Sequence, residues 1–135
     1  MSFLPHETKV VVIGGGIAGC STAYHLAKNG WDTVLIERDV LTSGTTWHAA
    51  GMITQLGTSP QITKLRKYSV EFYKDLKNIT GSDSSFKETG TINIATNKAR
   101  HQEYLRQKTM SKLFDINNEL INKKRFKELY PIAKN

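Results

Sequence analysis

Val10-Val11-Val12-Ile13-Gly14-Gly15-Gly16-Ile17-Ala18-Gly19, followed eighteen residues later by Glu37, decides the fold of this chain. A continuous run of mostly β-branched residues reads as a strand buried on both faces, as in a parallel sheet. Gly14, Gly16 and Gly19 match G-x-G-x-x-G. In that pattern the first glycine allows the tight turn, the second lets backbone approach a pyrophosphate, and the third lets the helix lie close on the sheet. The diphosphate then rests on the helix N-terminus, where free N–H groups and the helix dipole favour an anion.

The context on both sides supports this reading. Ile17 to Asn29 carries an apolar face through Ala23, Leu26 and Ala27, and Gly30 stands where the helix should stop. Trp31-Asp32-Thr33-Val34-Leu35-Ile36 reads as a second buried strand that ends in Glu37. A carboxylate there accepts hydrogen bonds from ribose hydroxyls and repels a 2′-phosphate. NADP is therefore disfavoured, while NAD and FAD stay open. A solvated Glu37 paired with Arg38 is the plainer alternative.

Working outward, Arg38 to Gly57 is rich in Thr, Ser, Gly and Ala and reads as a loop packed closely against something. A helix follows over 61–79, with Ile62, Leu65, Val70, Phe72, Tyr73, Leu76 and Ile79 as its apolar stripe. The alternation of Ile92 and Ile94 predicts a strand over 86–96. A helix over 98–113, a short strand over 119–121 and a helix from the N-cap Asn122 through Tyr130 complete the reading. We divide the chain into a nucleotide-binding βαβ unit with its loop (1–59) and a helix/strand segment (60–135). The fold class is α/β: the start of a Rossmann-like domain followed by the beginning of a substrate-domain region. Too few parallel strands follow residue 37 to complete a dinucleotide-binding half. The chain of 135 residues therefore reads as an N-terminal fragment with an incomplete core.

Composition bounds the rest. Cys20 is the one cysteine, which excludes a disulfide within the chain and a cysteine metal cluster. Its place on the first helix suits a small core filler. No stretch has the length of an apolar membrane span, and the first strand begins too early to leave room for a targeting peptide. The expected setting is cytoplasmic, with neither membrane nor nucleic acid as partner. The net charge of +7 is uneven: residues 60–135 carry sixteen basic and eight acidic residues. Those charges are interleaved along amphipathic helices, as on solvated faces. His6, His25 and His101 carry no assigned role.

The combination of Gly14-Gly15-Gly16-Ile17-Ala18-Gly19, Glu37-Arg38 and Thr42-Ser43-Gly44-Thr45-Thr46-Trp47-His48-Ala49-Ala50-Gly51 resembles the D-amino-acid-oxidase-like FAD oxidoreductases. Within them it is similar to the sarcosine and dimethylglycine dehydrogenases, and the similarity extends through 86–95. The resemblance implies a flavoenzyme that oxidises the N-methyl group of a small amino acid, with oxygen or a carrier protein as electron acceptor. The product would be formaldehyde, or a folate adduct in relatives with a further domain. It also implies that the histidine matching His48 carries FAD covalently at the flavin 8α carbon. A neutral imidazole nitrogen is a competent nucleophile for that bond. Ser43, Gly44, Thr45 and Thr46 would line the pyrophosphate and flavin side, with Ala50 and Gly51 also at the cofactor. Trp47 would pack near the ring system, or else be an ordinary buried aromatic. Catalytic residues are not identifiable and would lie mostly beyond residue 135. On the residues alone two other readings stay open: an NAD-dependent Rossmann dehydrogenase, and a non-catalytic basic nucleic-acid-binding or interaction module.

Overall fold

The computed structural model describes residues 5–133. These divide into two compact units, one up to Met52 and one from Ile53 onward.

In the first unit, β1 (Val10–Ile13) and β2 (Thr33–Ile36) pair in parallel, with Val10 opposite Thr33 and Ile13 opposite Ile36. Two parallel strands cannot be joined by a tight turn, and α1 (Ile17–Lys28) makes the crossover. Backbone bonds extend the pairing at both ends, from Val10 N–H to Asp32 O at 3.0 Å and from Gly14 N–H to Ile36 O at 2.8 Å. The helix stops where the sequence says it should. Gly30 has φ +79° and donates to Ala27 O, while Trp31 donates to Leu26 O. This crossed pair of bonds satisfies carbonyls that the helix itself leaves open.

The sheet departs from one expectation. The strands are not covered on both faces: Ile13 is 85% exposed and Val11 49%. Burying both faces of a parallel strand takes a layer on each side. Among the described residues, α1 is the main element packed on this sheet.

The second unit is helical. It contains α2 (Pro60–Thr80), α3 (Lys98–Lys112) and α4 (Lys123–Leu129). Each starts on a side-chain cap. Ser59, Asn97 and Asn122 accept the N–H groups of Ile62, Arg100 and Arg125 at 3.3, 2.9 and 2.9 Å. Pro60 occupies the first helical position of α2, where a missing N–H costs nothing. Thr63 is fully buried. Its hydroxyl donates to Ser59 O at 2.9 Å and accepts Gly57 N–H at 3.1 Å, which ties the incoming loop to α2. Arg66 reinforces the same join with a 2.7 Å bond to Leu56 O.

Neither expected strand beyond β2 forms. Residues 86–96 and 119–121 hold no strand, and Ile92 and Ile94 are 39% and 63% exposed. Alternation prepares a segment for pairing, but a strand exists only as part of a ladder. The one backbone bond made within 86–96 is local, from Thr89 N–H to Lys87 O.

Val70 and Ile116 are the only buried apolar side chains among the described residues. The core is therefore thin, as the missing sheet layers imply. The basic residues of this unit are partly spoken for at the surface. Lys74–Glu88, Arg106–Glu103 and Arg125–Glu128 pair at 2.7, 2.7 and 3.1 Å. No helix among the described residues is long and apolar enough to cross a membrane.

Candidate nucleotide-binding site

The site is built on the turn between β1 and α1. Gly14 takes φ +102°, which only glycine adopts without strain. Gly19 lies directly under the turn: a Cβ there would sit 1.8 Å from the Gly14 carbonyl oxygen. Gly16 is the N-cap of α1 and brings no side chain to it. Cys20 donates the first backbone bond of the helix, to Gly16 O at 2.9 Å. The N–H groups of Ala18 and Gly19 therefore precede the helical ladder and are open to an outside acceptor.

Gly15, the glycine that the motif does not require, is the hub of this turn. It is buried, and a Cβ on it would come within 2.5 Å of the Leu41 side chain and 3.0 Å of Glu37 Cβ. Its N–H donates to Glu37 Oε2 at 2.5 Å. Its carbonyl accepts Thr42 N–H at 2.9 Å and the Cys20 thiol at 3.4 Å. Leu41, Thr42 and Asp39 thus belong to the site although the motif does not name them. The one sequence sign of this crowding is the glycine at an unconstrained motif position.

Glu37 stands at the end of β2 as expected, but its partners are not the expected ones. Oε2 holds Gly15 and Oε1 accepts Asp39 N–H at 3.1 Å. The Gly15 bond, then the Asp39 bond, pull its carboxyl below the usual value. Among the described residues Arg38 makes no ion pair with it, and its backbone N–H and its charge lower that carboxyl less than the Gly15 and Asp39 bonds do. A carboxylate offers about four acceptor positions, so two remain for ribose hydroxyls.

The segment after β2 folds as a 3-10 turn, Thr45–His48, docked on the start of α1. Thr46 Oγ1 accepts Ile17 N–H at 3.0 Å, and Gly16 leaves room for it, since a Cβ there would lie 3.1 Å from that oxygen. Trp47 Nε1 donates to Ser43 O at 3.0 Å, and the Trp47 and His48 rings lie 3.8 Å apart. Trp47 is 68% exposed, which overturns the buried-aromatic alternative. Ser43, Gly44, Thr45, His48, Ala50 and Gly51 are exposed as well. The structure therefore brings Gly14–Gly19, Glu37 and Thr46 together by direct contact and leaves the rest of the loop facing outward. The glycine cradle, the open first-turn N–H groups and the carboxylate at the strand end fit the diphosphate and ribose of a dinucleotide.

The profile of the family described as FAD dependent oxidoreductase (DAO) matches residues 9–135. The chain is 42% identical over 131 residues to 4-methylaminobutanoate oxidase (formaldehyde-forming) of Paenarthrobacter nicotinovorans, covering 96% of this chain and 16% of that protein. It is 41% identical over 131 residues to the mitochondrial sarcosine dehydrogenase of Mus musculus (96% and 14%). Against the mitochondrial dimethylglycine dehydrogenase of Homo sapiens the figures are 38% over 127 residues, 93% and 15%. In fold it is similar to the crystal structure of L-proline dehydrogenase from P. horikoshii. The TM-score is 0.85 at 31% identity, over 95% of this chain and 34% of that one. The chain thus spans about a sixth of the length of the curated relatives it matches.

Proposed function

The chain belongs to the FAD-dependent oxidoreductase (DAO) family, and from that membership we propose that it is the nucleotide-binding opening of an enzyme that oxidises N-methyl groups of small amino acids. The observation that carries the reading is the junction at the start of α1. There the glycine turn, the Glu37 carboxylate and the turn bearing His48 are joined by direct hydrogen bonds. Membership in a FAD-dependent family leaves no support for the NAD reading or for the nucleic-acid module. The relatives' names point to sarcosine, dimethylglycine and 4-methylaminobutanoate as the substrate class.

In this reading the N–H groups of Ala18 and Gly19 hold the diphosphate, and Gly14 and Gly16 keep side chains out of its way. Glu37 accepts the ribose hydroxyls on its remaining lone pairs. FAD held there would supply two-electron oxidation of the N-methyl carbon, and the iminium with water would give the demethylated amine and formaldehyde. The two electrons would leave to oxygen or a carrier protein. His48 would exchange its imidazole N–H for a bond to the flavin 8α carbon. One imidazole proton and one methyl proton would be lost, and the electron pair would pass to the same acceptor. Substrate-binding and catalytic side chains are assigned to the part of the protein outside this chain. The proposed setting is cytoplasmic. The two dehydrogenase relatives are described as mitochondrial, and cell fractionation distinguishes the two.

The test is to denature the full-length protein in acid and digest it. Flavin fluorescence on a peptide containing His48, absent in His48→Ala, is the expected result. Flavin released wholly free would refute the covalent link, and a protein without flavin absorbance would refute the reading. Anaerobic bleaching of the flavin by sarcosine, dimethylglycine or 4-methylaminobutanoate identifies the substrate; no bleaching by any of them removes the proposed class.

A further inference from the structure

We propose that Thr46 is a positioning residue, a latch that fixes the turn bearing His48 to the N-terminus of α1. The inference rests on the reading of His48 as the flavin-bonding residue and deepens it.

The other helices are capped from the residue that precedes them: Ser59, Asn97 and Asn122 each bond an N–H three residues on. The N-cap of α1 is Gly16, which has no side chain to offer. The hydroxyl that takes the Ile17 N–H comes from Thr46, twenty-nine residues downstream. This bond therefore does more than end a helix. It joins two segments that touch the same cofactor in different places, the diphosphate cradle and the turn carrying the imidazole.

The turn is short and stiff enough to transmit that anchoring. Thr46 and His48 lie in one 3-10 turn, the Ala49 N–H closes it on Thr46 O at 3.2 Å, and the Trp47 indole ties it to Ser43 O. The Trp47 ring rests against the His48 ring. A second bond, from Thr42 N–H to Gly15 O, fixes the start of the same loop. Without the Thr46 bond, the loop would be held to the cradle at its start and free at the imidazole. Reaction of a positioned nucleophile depends steeply on such placement.

The experiment compares wild-type full-length protein with Thr46→Val, which keeps the branched shape and loses the acceptor, and Thr46→Ser, which keeps the acceptor. Each is prepared flavin-free and mixed with FAD. Thr46→Val should attach flavin to protein at least about fivefold more slowly, the equivalent of one capping bond, with Thr46→Ser near wild type. The attachment rate is read at saturating FAD, so that a change in reversible binding, to which Thr46 also belongs, does not enter it. Amide exchange at Ile17 in the flavin-free protein should speed up in Thr46→Val and not in Thr46→Ser. Unchanged attachment in Thr46→Val, or a Thr46→Ser no better than Thr46→Val, overturns the latch. Should wild type itself release all its flavin, the covalent reading fails on its own. The Ile17 exchange then decides the latch, and an unchanged rate in Thr46→Val ends it.

Discussion

The Glu37 carboxylate closes onto the N–H of Gly15, so the acid at the end of β2 holds the glycine turn before any ribose reaches it. A group whose ionised form is hydrogen-bonded in the folded state has a lowered pKa there, and its usual value is 4.5. Its contribution to stability is full above the usual value and is lost as pH falls through the lowered one. Glutamine offers one acceptor oxygen for two N–H groups. In Glu37→Gln the acid limb of the stability curve should therefore flatten. Urea midpoints of the flavin-free full-length protein from about pH 7 to about pH 3 measure it. Parallel curves for the two proteins would show that the bond contributes nothing.

Glu103 is a useful contrast. Its carboxyl is lowered to about 2, chiefly by the side-chain bond from Arg106 and next by Gln107. Arg106 rises correspondingly. Exposed charge pairs are screened at high salt, whereas backbone donors keep their dipoles. Molar salt should move the Glu103 titration back toward its usual value and leave Glu37 low. Carboxyl carbon shifts followed by NMR at low and high salt read both groups at once. Equal movement of the two would contradict the assigned causes.

The glycines of the turn should differ in their cost on substitution by alanine. At Gly19 the added carbon meets backbone, the Gly14 carbonyl oxygen, which cannot rotate aside. Overpacking of that kind costs about 3 kcal/mol or more. At Gly14 there is open space, and only the backbone conformation opposes a side chain, at about 1–2 kcal/mol. Melting temperatures should fall furthest for Gly19→Ala, and a larger fall for Gly14→Ala would mean that the helix does not seat as described.

At the start of α2, Thr63→Val should cost more than Ser59→Ala. Removing the cap loses about 1 kcal/mol of helix stabilisation. Removing the buried Thr63 hydroxyl leaves the Gly57 N–H without its acceptor, which costs about 1–3 kcal/mol. Chemical denaturation of both variants settles the order.

Local chemistry made much of this chain readable from its sequence. The first strand, the helix from Ile17, the stop at Gly30 and the cap at Asn122 are set by neighbours a few residues apart. So is the placing of Glu37 at the end of β2. Tertiary structure alone decided the rest. Whether 86–96 becomes a strand depends on a partner, and no described residue pairs with it in a ladder. That Gly15 is a hub, that Glu37 holds it, and that Thr46 rather than Gly16 caps α1 follow from atoms twenty-two to twenty-nine residues apart. Periodicity and motif spacing record what a residue does to its own turn or face. They carry no information on which distant hydroxyl or carboxylate arrives to take a free N–H, because packing of the folded chain makes that choice.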